Sequence, residues 1–135
     1  MASYNDRIIE EFRANHGRVG GDFEGAPLLL LHHRGAKSGT AYVSPVMYQD
    51  LAGAYAVFAS AAGQPNNPAW YHNLSAHKET TVEVGGDTVG VRVREASGVE
   101  RDRIWAAQKA AYPGFADYER KTDRTIPVLV LEPVR

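Results

Sequence analysis

The chain has 135 residues, 44% of them hydrophobic and 23% charged, which suits one globular domain with a core of its own. A net charge of -1 gives no general field for nucleic acid, and the absence of cysteine excludes disulfides, thiolate nucleophiles and cysteine-ligated metals. The first residues are too charged for a secretory signal, and no apolar run approaches the ~20 residues of a membrane span. We therefore expect a single cytoplasmic domain over residues 1–135 that binds a small molecule and no nucleic acid.

Ser3 and Asp6 have the spacing of a helix-capping box, and the residues after them predict an amphipathic helix that ends near Gly17. The apolar side of this helix consists of Ile8, Ile9 and Phe12. Packing against the core is one interpretation of this side, and a cover over a ligand or a peripheral contact with a membrane surface are two others. The sequence leaves these roles open.

Apolar runs after this helix predict three consecutive strands. Leu28–Leu31 is typical of a strand buried on both faces, and a second strand lies around Tyr42–Gln49. Pro45 makes the second strand an edge or bulged one, because proline has no N–H for a ladder hydrogen bond. The third strand covers Tyr55–Ala59.

Helix and hairpin signals follow. Asn67 suits the N-cap of a helix that has Pro68 at its first position. Two strands, Thr80–Val84 and Thr88–Arg94, are separated by Gly85-Gly86-Asp87, which predicts a hairpin between them.

The last third of the chain predicts two helices and a strand. Ser97 and Glu100 repeat the capping-box pattern before a helix that stops ahead of Pro113, and a short helix spans Phe115–Lys121. Pro127–Leu131 is an apolar strand. Consecutive strands with helices inserted between them favour a mainly antiparallel barrel or sheet of the α+β class.

The turn between the first two strands has the residues of an anion site. Gly35 and Gly39 flank a turn whose backbone amides we expect to be free, and Lys37, Ser38 and Thr40 add a charge and hydroxyl groups. A phosphate would suit this turn. A solvent-exposed hairpin turn is the alternative, and the spacing of the residues does not choose between them.

A second loop is suited to a flat ring. Ala59–Gly63 consists of small residues that leave the backbone open to close approach, and Ser60 is able to donate to a ring carbonyl. A connection without a ligand is the alternative. Trp70 and Tyr71, at the start of the next helix, suit either ring stacking or the core.

Aromatic residues near the C-terminus recur at three-residue intervals. Tyr112, Phe115 and Tyr118 are placed to form a wall along one side of a helical turn, either in the core or beside a planar apolar substrate. Asp123 and Arg124 predict a surface ion pair or a brace for the turn that follows.

Catalytic triads and metal sites have no support in the sequence. The histidines have no nucleophile or acid at a triad spacing, and the patterns HxxxH and HExxH are missing. His32 and His33 lie in a predicted strand, where adjacent side chains point to opposite faces. We therefore expect no metal, and chemistry that a bound cofactor supplies.

Five segments in order resemble the deazaflavin (F420)-dependent nitroreductase family, and within it a quinone reductase. They are Gly35-x-Lys37-Ser38-Gly39, Ala59-Ser60, Asn67-Pro68-x-Trp70-Tyr71-x-Asn73-Leu74, Tyr112-Pro113-x-Phe115-x-x-Tyr118, and Thr122-Asp123-Arg124-x-Ile126-Pro127 with the strand after it. Each segment is short, but their order and separations match the family from about residue 4 to the end.

The resemblance implies a mainly antiparallel split β-barrel with flanking helices, as in flavin reductases and FMN-binding proteins. It also implies coenzyme F420, an anionic 8-hydroxy-5-deazaflavin with a phosphate and a polyglutamate tail. The activity it implies is hydride transfer from reduced F420 to a planar electron-poor acceptor, namely a quinone, an enone or a nitroaromatic compound. Two alternatives stay open: a deazaflavin-binding or carrier domain without catalysis, and a split-barrel reductase that uses FMN.

The same resemblance assigns residues to the parts of one site. The phosphate would be faced by Lys37, Ser38 and Gly39. The deazaflavin ring would be lined by Ser60, Ala61 and Ala62. The cofactor groove would be completed by Pro68, Ala69 and Trp70. The acceptor side would be formed by Tyr112, Phe115 and Tyr118. The catalytic candidates, which would orient the acceptor or supply a proton, are Ser60, Tyr112 and Tyr118.

The chain departs from the pattern of the family at charged positions. Many relatives carry arginine where Ala36 and Tyr42 stand, and some carry lysine at Ala61. Because charge-assisted hydrogen bonds are worth about 1.5–3 kcal/mol each, we expect weaker cofactor binding unless Arg34 or Arg18 compensates.

Overall fold

The computed structural model describes residues 4–21 and 25–134. Its helices are α1 (Tyr4–Ala14), α2 (Ala69–Ala76), α3 (Gly98–Ala111) and α4 (Gly114–Lys121). Its strands are β1 (Leu28–Arg34), β2 (Ala41–Asp50), β3 (Tyr55–Phe58), β4 (Glu79–Val84), β5 (Asp87–Glu95) and β6 (Val128–Pro133). The predicted order of elements is confirmed within these ranges.

The strands close into an antiparallel barrel in the order β1-β2-β3-β6-β5-β4. The predicted hairpin between β4 and β5 is confirmed, because Val84 pairs with Asp87 and Gly85 takes a positive φ of 58° in the turn. The expected α+β barrel with flanking helices is therefore present.

Strand residues alternate between the barrel interior and the helices outside it. In β1, Leu29 and Leu31 belong to the interior cluster, whereas Leu28 and Leu30 pack with α1. These opposite contacts explain why β1 is apolar on both faces, as predicted. β6 repeats the pattern, with Leu129 and Leu131 inside and Val128 and Val130 against α3 and α4.

An aromatic cluster joins α3 and α4 to the end of β3. The ring of Phe58 lies 5.8 Å from Trp105 and 5.7 Å from Phe115 between ring centroids, and Tyr118 lies 5.4 Å from Phe115. Such contacts add to the burial of large aromatic surfaces. They fix α4 beside the point where the chain leaves β3.

β2 pairs with different strands along its two halves. Residues Ala41–Met47 pair with β1, and Tyr48–Asp50 pair with β3. On the side away from β1, Ala41–Met47 has no pairing strand among the described residues, and Pro45 lies within this stretch. The predicted edge position of Pro45 is therefore confirmed.

α1 covers β1 with its apolar side. Ile8 and Phe12 are 7% and 1% exposed, so the membrane contact considered for this side receives no support. Arg13 donates to Glu83 at 2.7 Å and the His32 ring bonds the same carboxylate at 2.7 Å, and the hydrogen bond from Arg13 foremost lowers the pKa of Glu83. Across residues 4–21 and 25–134, no helix is both long and apolar enough to cross a bilayer.

The predicted end of α1 near Gly17 is wrong by a short distance. The helix stops at Ala14, because His16 and Gly17 take left-handed φ values of 54° and 98°. The capping role predicted for Ser3 lies outside the described residues.

One predicted cap is wrong in its position and the other in its hydrogen bonds. Pro68, not Asn67, is the N-cap of α2. Ser97 is the N-cap of α3, but its side chain makes no capping hydrogen bond, and Glu100 instead accepts from Arg94 at 2.6 and 2.7 Å. The Asn67 side chain instead accepts a hydrogen bond from Arg124, and the Ser97 side chain is exposed to solvent.

Candidate active site

The phosphate loop, defined as residues Gly35–Gly39 between β1 and β2, is held mainly by its own backbone. Gly35 N–H donates to Thr40 O and Gly39 N–H donates to Gly35 O, both at 2.9 Å. Gly39 has a φ of 72°, which favours glycine. The prediction of free amides is therefore wrong for Gly35 and Gly39 themselves, since the turn uses both.

The free donors lie at the tip of this loop instead. Ala36 N–H donates to Asn73 Oδ1 at 3.0 Å, but in the described part of the chain no hydrogen bond involves the amides of Lys37 and Ser38. The Lys37 side chain is exposed beside them. Two adjacent free amides with a cation are the donor set of an anion site.

A buried polar network stands behind the phosphate loop. The Asn73 amide also bonds His33 Nδ1 at 2.9 Å, and His33 Nε2 bonds Ser44 Oγ at 2.9 Å. Both His33 and Asn73 are buried, and the His33 ring stacks on Tyr42 with centroids 5.5 Å apart. Burial, with a smaller effect of the neighbouring histidine, lowers the pKa of His33 below its ordinary value of 6.5.

The ring loop, defined as residues Ala59–Gly63, is held by Arg124. The guanidinium donates to Ala59 O at 3.1 Å, to Ser60 O at 2.9 Å and to Gln64 O at 3.0 Å. It also donates to Asn67 Oδ1 at 2.6 Å, which explains why Asn67 is not a helix cap. The local brace predicted for the turn after Arg124 is therefore wrong, because the guanidinium holds a loop far away in the sequence.

The ring loop is also pressed against α4. Ala61 and Gly63 have left-handed φ values of 47° and 81°. A Cβ on Gly63 would lie 2.9 Å from both Tyr118 O and Lys121 Cβ, so no side chain fits there. Left-handed geometry costs a residue such as Ala61 roughly 1–2 kcal/mol. The surrounding contacts therefore hold this loop in one conformation.

The first of two neighbouring pockets lies between the ring loop, β2 and α4 and has a volume of about 300 Å³. It brings together most of the predicted ring and acceptor residues. These are Ser60, Ala61, Pro68, Trp70, Phe115 and Tyr118. The open half of β2 supplies the opposite wall with Pro45, Val46 and Met47. Tyr112 lies elsewhere, in a separate depression beside Gln108 on α3.

The second pocket lies beside the phosphate loop and has a volume of about 470 Å³. Its lining includes Gly35 of the loop, Ala69 and Asn73 of α2, and Asn5 and Asp6 from the first turn of α1. The predicted phosphate residues 37–39 line neither pocket, although Gly35 of the same loop does. The first turn of α1 therefore faces the site, in agreement with the ligand-covering role considered for this helix.

The two pockets adjoin each other, because neighbouring residues of the chain line one and the other. On β2, Pro45 lines the first pocket and Ser44 lines the second. At the start of α2, Pro68 lines the first pocket and Ala69 lines the second. We call these two adjoining pockets together the groove. It runs from the phosphate loop, past the start of α2, to the ring loop and the aromatic wall of Phe115 and Tyr118.

Comparison with known proteins decides the family. The family model for F420H(2)-dependent quinone reductases matches residues 6–133. The chain belongs to this family. It is accordingly an F420H2-dependent reductase, and coenzyme F420 is its cofactor.

Relatives match over most of their length. The chain is 41% identical to Rv3178 of Mycobacterium tuberculosis, a proposed F420H(2)-dependent quinone reductase, over 86% of this chain and 98% of the relative. It is 35% identical to the F420H(2)-dependent quinone reductase Rv1261c of the same organism, over 89% and 83% of the two chains.

Solved structures share the fold. An F420-H2 dependent reductase called FDR-A superposes with a TM-score of 0.72 at 39% identity, covering 78% of this chain and 94% of that one. A FAD-binding protein of Mesorhizobium loti shares only the fold, with a TM-score of 0.53 at 14% identity.

The residues present fit the coenzyme. The free amides of Lys37 and Ser38 suit a phosphate, and the small residues of the ring loop leave room for a flat ring. Arg34 lies at the phosphate loop, with Nη1 3.5 Å from Gly39 O, whereas Arg18 lines a different depression near the end of α1. Of the two arginines considered for compensation, Arg34 is therefore the one in position.

The sequence alone did not predict the roles of three polar residues of the site. Asn73 and Arg124 stand inside the family-like segments, but nothing in their spacing shows that they hold the phosphate loop and the ring loop. His33 was considered only as a metal ligand. The signal that would have found them is a buried polar residue in a segment that otherwise reads as core.

Proposed function

We propose that the protein transfers a hydride from reduced F420 to a neutral, planar, electron-poor acceptor, with quinones as the first acceptor class and enones and nitroaromatic compounds as the others. One observation carries the proposal: the second pocket lies beside the phosphate loop, whose tip amides make no hydrogen bond among the described residues, and the first pocket is apolar and aromatic. A phosphorylated ring compound requires both of these features.

The residues at the cofactor side bind and orient. The amides of Lys37 and Ser38, with the Lys37 ammonium, bind the phosphate, and Gly39 allows the turn that exposes them. Ser60, Ala61 and Ala62 line the ring, and Pro68, Ala69 and Trp70 close the groove on the side of α2. When bound, reduced F420 supplies the hydride, so this chain needs no nucleophile of its own.

The residues at the acceptor side position the acceptor and exclude water. Phe115 and Tyr118 face Met47 and Val46 across the first pocket, and no charged residue is among the described residues of its lining. An uncharged planar ring therefore suits this pocket better than an ionised substrate. The hydroxyl groups of Ser60 and Tyr118 hold the acceptor oxygen or deliver a proton to it. Tyr112 lies outside this pocket, so we assign the acceptor side to Phe115 and Tyr118.

Single-turnover mixing tests the activity. Enzyme loaded with reduced F420 is mixed with menaquinone, and the return of the deazaflavin visible absorption is followed. The proposal predicts recovery that is faster than the reaction without protein. Failure across quinones, enones and nitroaromatic compounds, with the coenzyme still bound, would leave a carrier role; a purified protein with an FMN spectrum would point to the other alternative.

Titration with oxidised F420 tests the phosphate loop separately. Lys37→Ala should weaken binding about three- to tenfold, because one exposed charge is lost while the tip amides remain. Lys78→Ala is the matched control, since Lys78 is an exposed lysine that lies outside the phosphate loop and lines neither pocket. Equal affinities for the two variants would contradict the assignment of the phosphate.

A further inference from the structure

The orientation of the Asn73 side chain is forced by the backbone. The N–H of Ala36 is a donor and nothing else, so the group 3.0 Å away on Asn73 must be the carbonyl oxygen Oδ1. The amide nitrogen of Asn73 therefore faces His33 Nδ1, 2.9 Å away. This assignment does not depend on any choice between the two ends of the amide.

The same constraint fixes the proton on His33. Because Asn73 Nδ2 donates, His33 Nδ1 must accept, and an imidazole that accepts at Nδ1 is neutral with its proton on Nε2. That proton is donated to Ser44 Oγ at 2.9 Å. The burial of His33, which lowers the pKa of this residue, acts in the same direction.

We propose that His33 and Asn73 are positioning residues that keep the phosphate loop in its binding form only while His33 is neutral. A protonated His33 presents N–H at Nδ1, which opposes the Asn73 N–H. If the amide turns to place Oδ1 on His33, its nitrogen then opposes the Ala36 N–H. Either way one of the two hydrogen bonds is lost, so acid releases the loop. The proposal rests on the proposed binding of the coenzyme phosphate at the loop tip.

Other ionisable groups lie around His33, and their titration must be distinguished from that of His33. Those that line the same cavities are Asp6, His32, Arg34, Tyr42, His77 and Glu79. His32 is the closest in sequence, but its ring bonds Glu83 on the opposite face of β1. Its charge nevertheless lowers the pKa of His33, so the exposed His72 is the matched control in a pH titration.

The test uses Asn73→Asp, because a carboxylate accepts both from Ala36 N–H and from a protonated His33. The dissociation constant for oxidised F420 is measured from pH 8 to pH 5 for the wild type and this variant, and the ratio of the two cancels ionisation of the coenzyme. We expect the affinity of the wild type relative to Asn73→Asp to fall about five- to tenfold on acidification, the effect of one lost hydrogen bond. His72→Gln, which removes an exposed histidine, should follow the wild type. A ratio that stays constant with pH would overturn the proposal.

A second measurement works without the coenzyme. In the wild type the NMR chemical shift of the Ala36 amide should follow the ionisation of the His33 ring, and in Asn73→Asp this coupled shift should be much smaller. A flat Ala36 shift in the wild type across the His33 titration would overturn the proposal even if F420 binds. Absence of F420 binding to all variants at pH 8 would instead contradict the proposed function, and the Ala36 shift would then decide this inference alone.

Discussion

The two loops that frame the groove are held in opposite ways. The phosphate loop relies on its own backbone turn and on one buried side chain, Asn73, and its tip amides stay free. The ring loop is fixed by Arg124 and pressed against the backbone of α4 at Gly63. The ring end of the groove is therefore preorganised, whereas the phosphate end depends on a polar network that pH can change.

The largest expected effect comes from replacing one glycine by alanine in each loop and comparing the losses in stability. Gly63→Ala forces a left-handed alanine and a Cβ 2.9 Å from Tyr118 O, whereas Gly39→Ala forces only the left-handed residue, with no atom within 4 Å. We expect unfolding free energies lower by about 2–4 kcal/mol for Gly63→Ala and about 1–2 kcal/mol for Gly39→Ala. Urea denaturation measures both. Equal losses would show that α4 does not clamp the ring loop.

A smaller effect is expected from Arg124. Arg124→Lys keeps the charge but loses the planar fork that reaches several carbonyls at once, so the unfolding free energy should fall by about 2 kcal/mol. Arg92→Lys is the control, because Arg92 forms a solvent-exposed ion pair with Glu79. This substitution should leave the unfolding free energy unchanged. A tolerated Arg124→Lys would mean that the ring loop is held by packing alone.

The smallest effect concerns pH and the phosphate loop. Because the pKa of His33 is lowered on folding, its contribution to stability is present above the ordinary value of 6.5 and is lost as pH falls below it towards the lowered pKa. The unfolding free energy of the wild type should thus decline in this window more steeply than that of His33→Gln. His72→Gln, which removes an exposed histidine, should keep the slope of the wild type. Identical slopes for all three proteins would contradict a neutral, buried His33.

Much of the fold follows from local patterns in the sequence. The doubly apolar run of β1, the glycine turn between β4 and β5 and the position of Pro45 each have a cause within a few residues. The exact helix caps were less predictable, because a capping side chain competes with distant partners. Asn67 shows this, since Arg124 takes its oxygen from 57 residues away.

The candidate site was predictable in its segments but not in its supports. The resemblance to the family brought the ring loop, the start of α2 and the aromatic wall to one place, and Ser60, Trp70 and Phe115 do share a pocket. The hydrogen bond from Ala36 to Asn73 spans 37 residues and depends on how α2 packs against β1. No spacing rule encodes such a contact. For the same reason Tyr112, which has the right interval to Phe115, lies in another depression.

A crystal structure with oxidised F420 bound tests the central claim most directly. We predict that the phosphate accepts hydrogen bonds from the amides of Lys37 and Ser38, and that the deazaflavin ring lies beside Ser60 with one face towards Phe115 and Tyr118. A phosphate bound away from the residue 37–38 tip, with those amides still unpaired, would contradict the account.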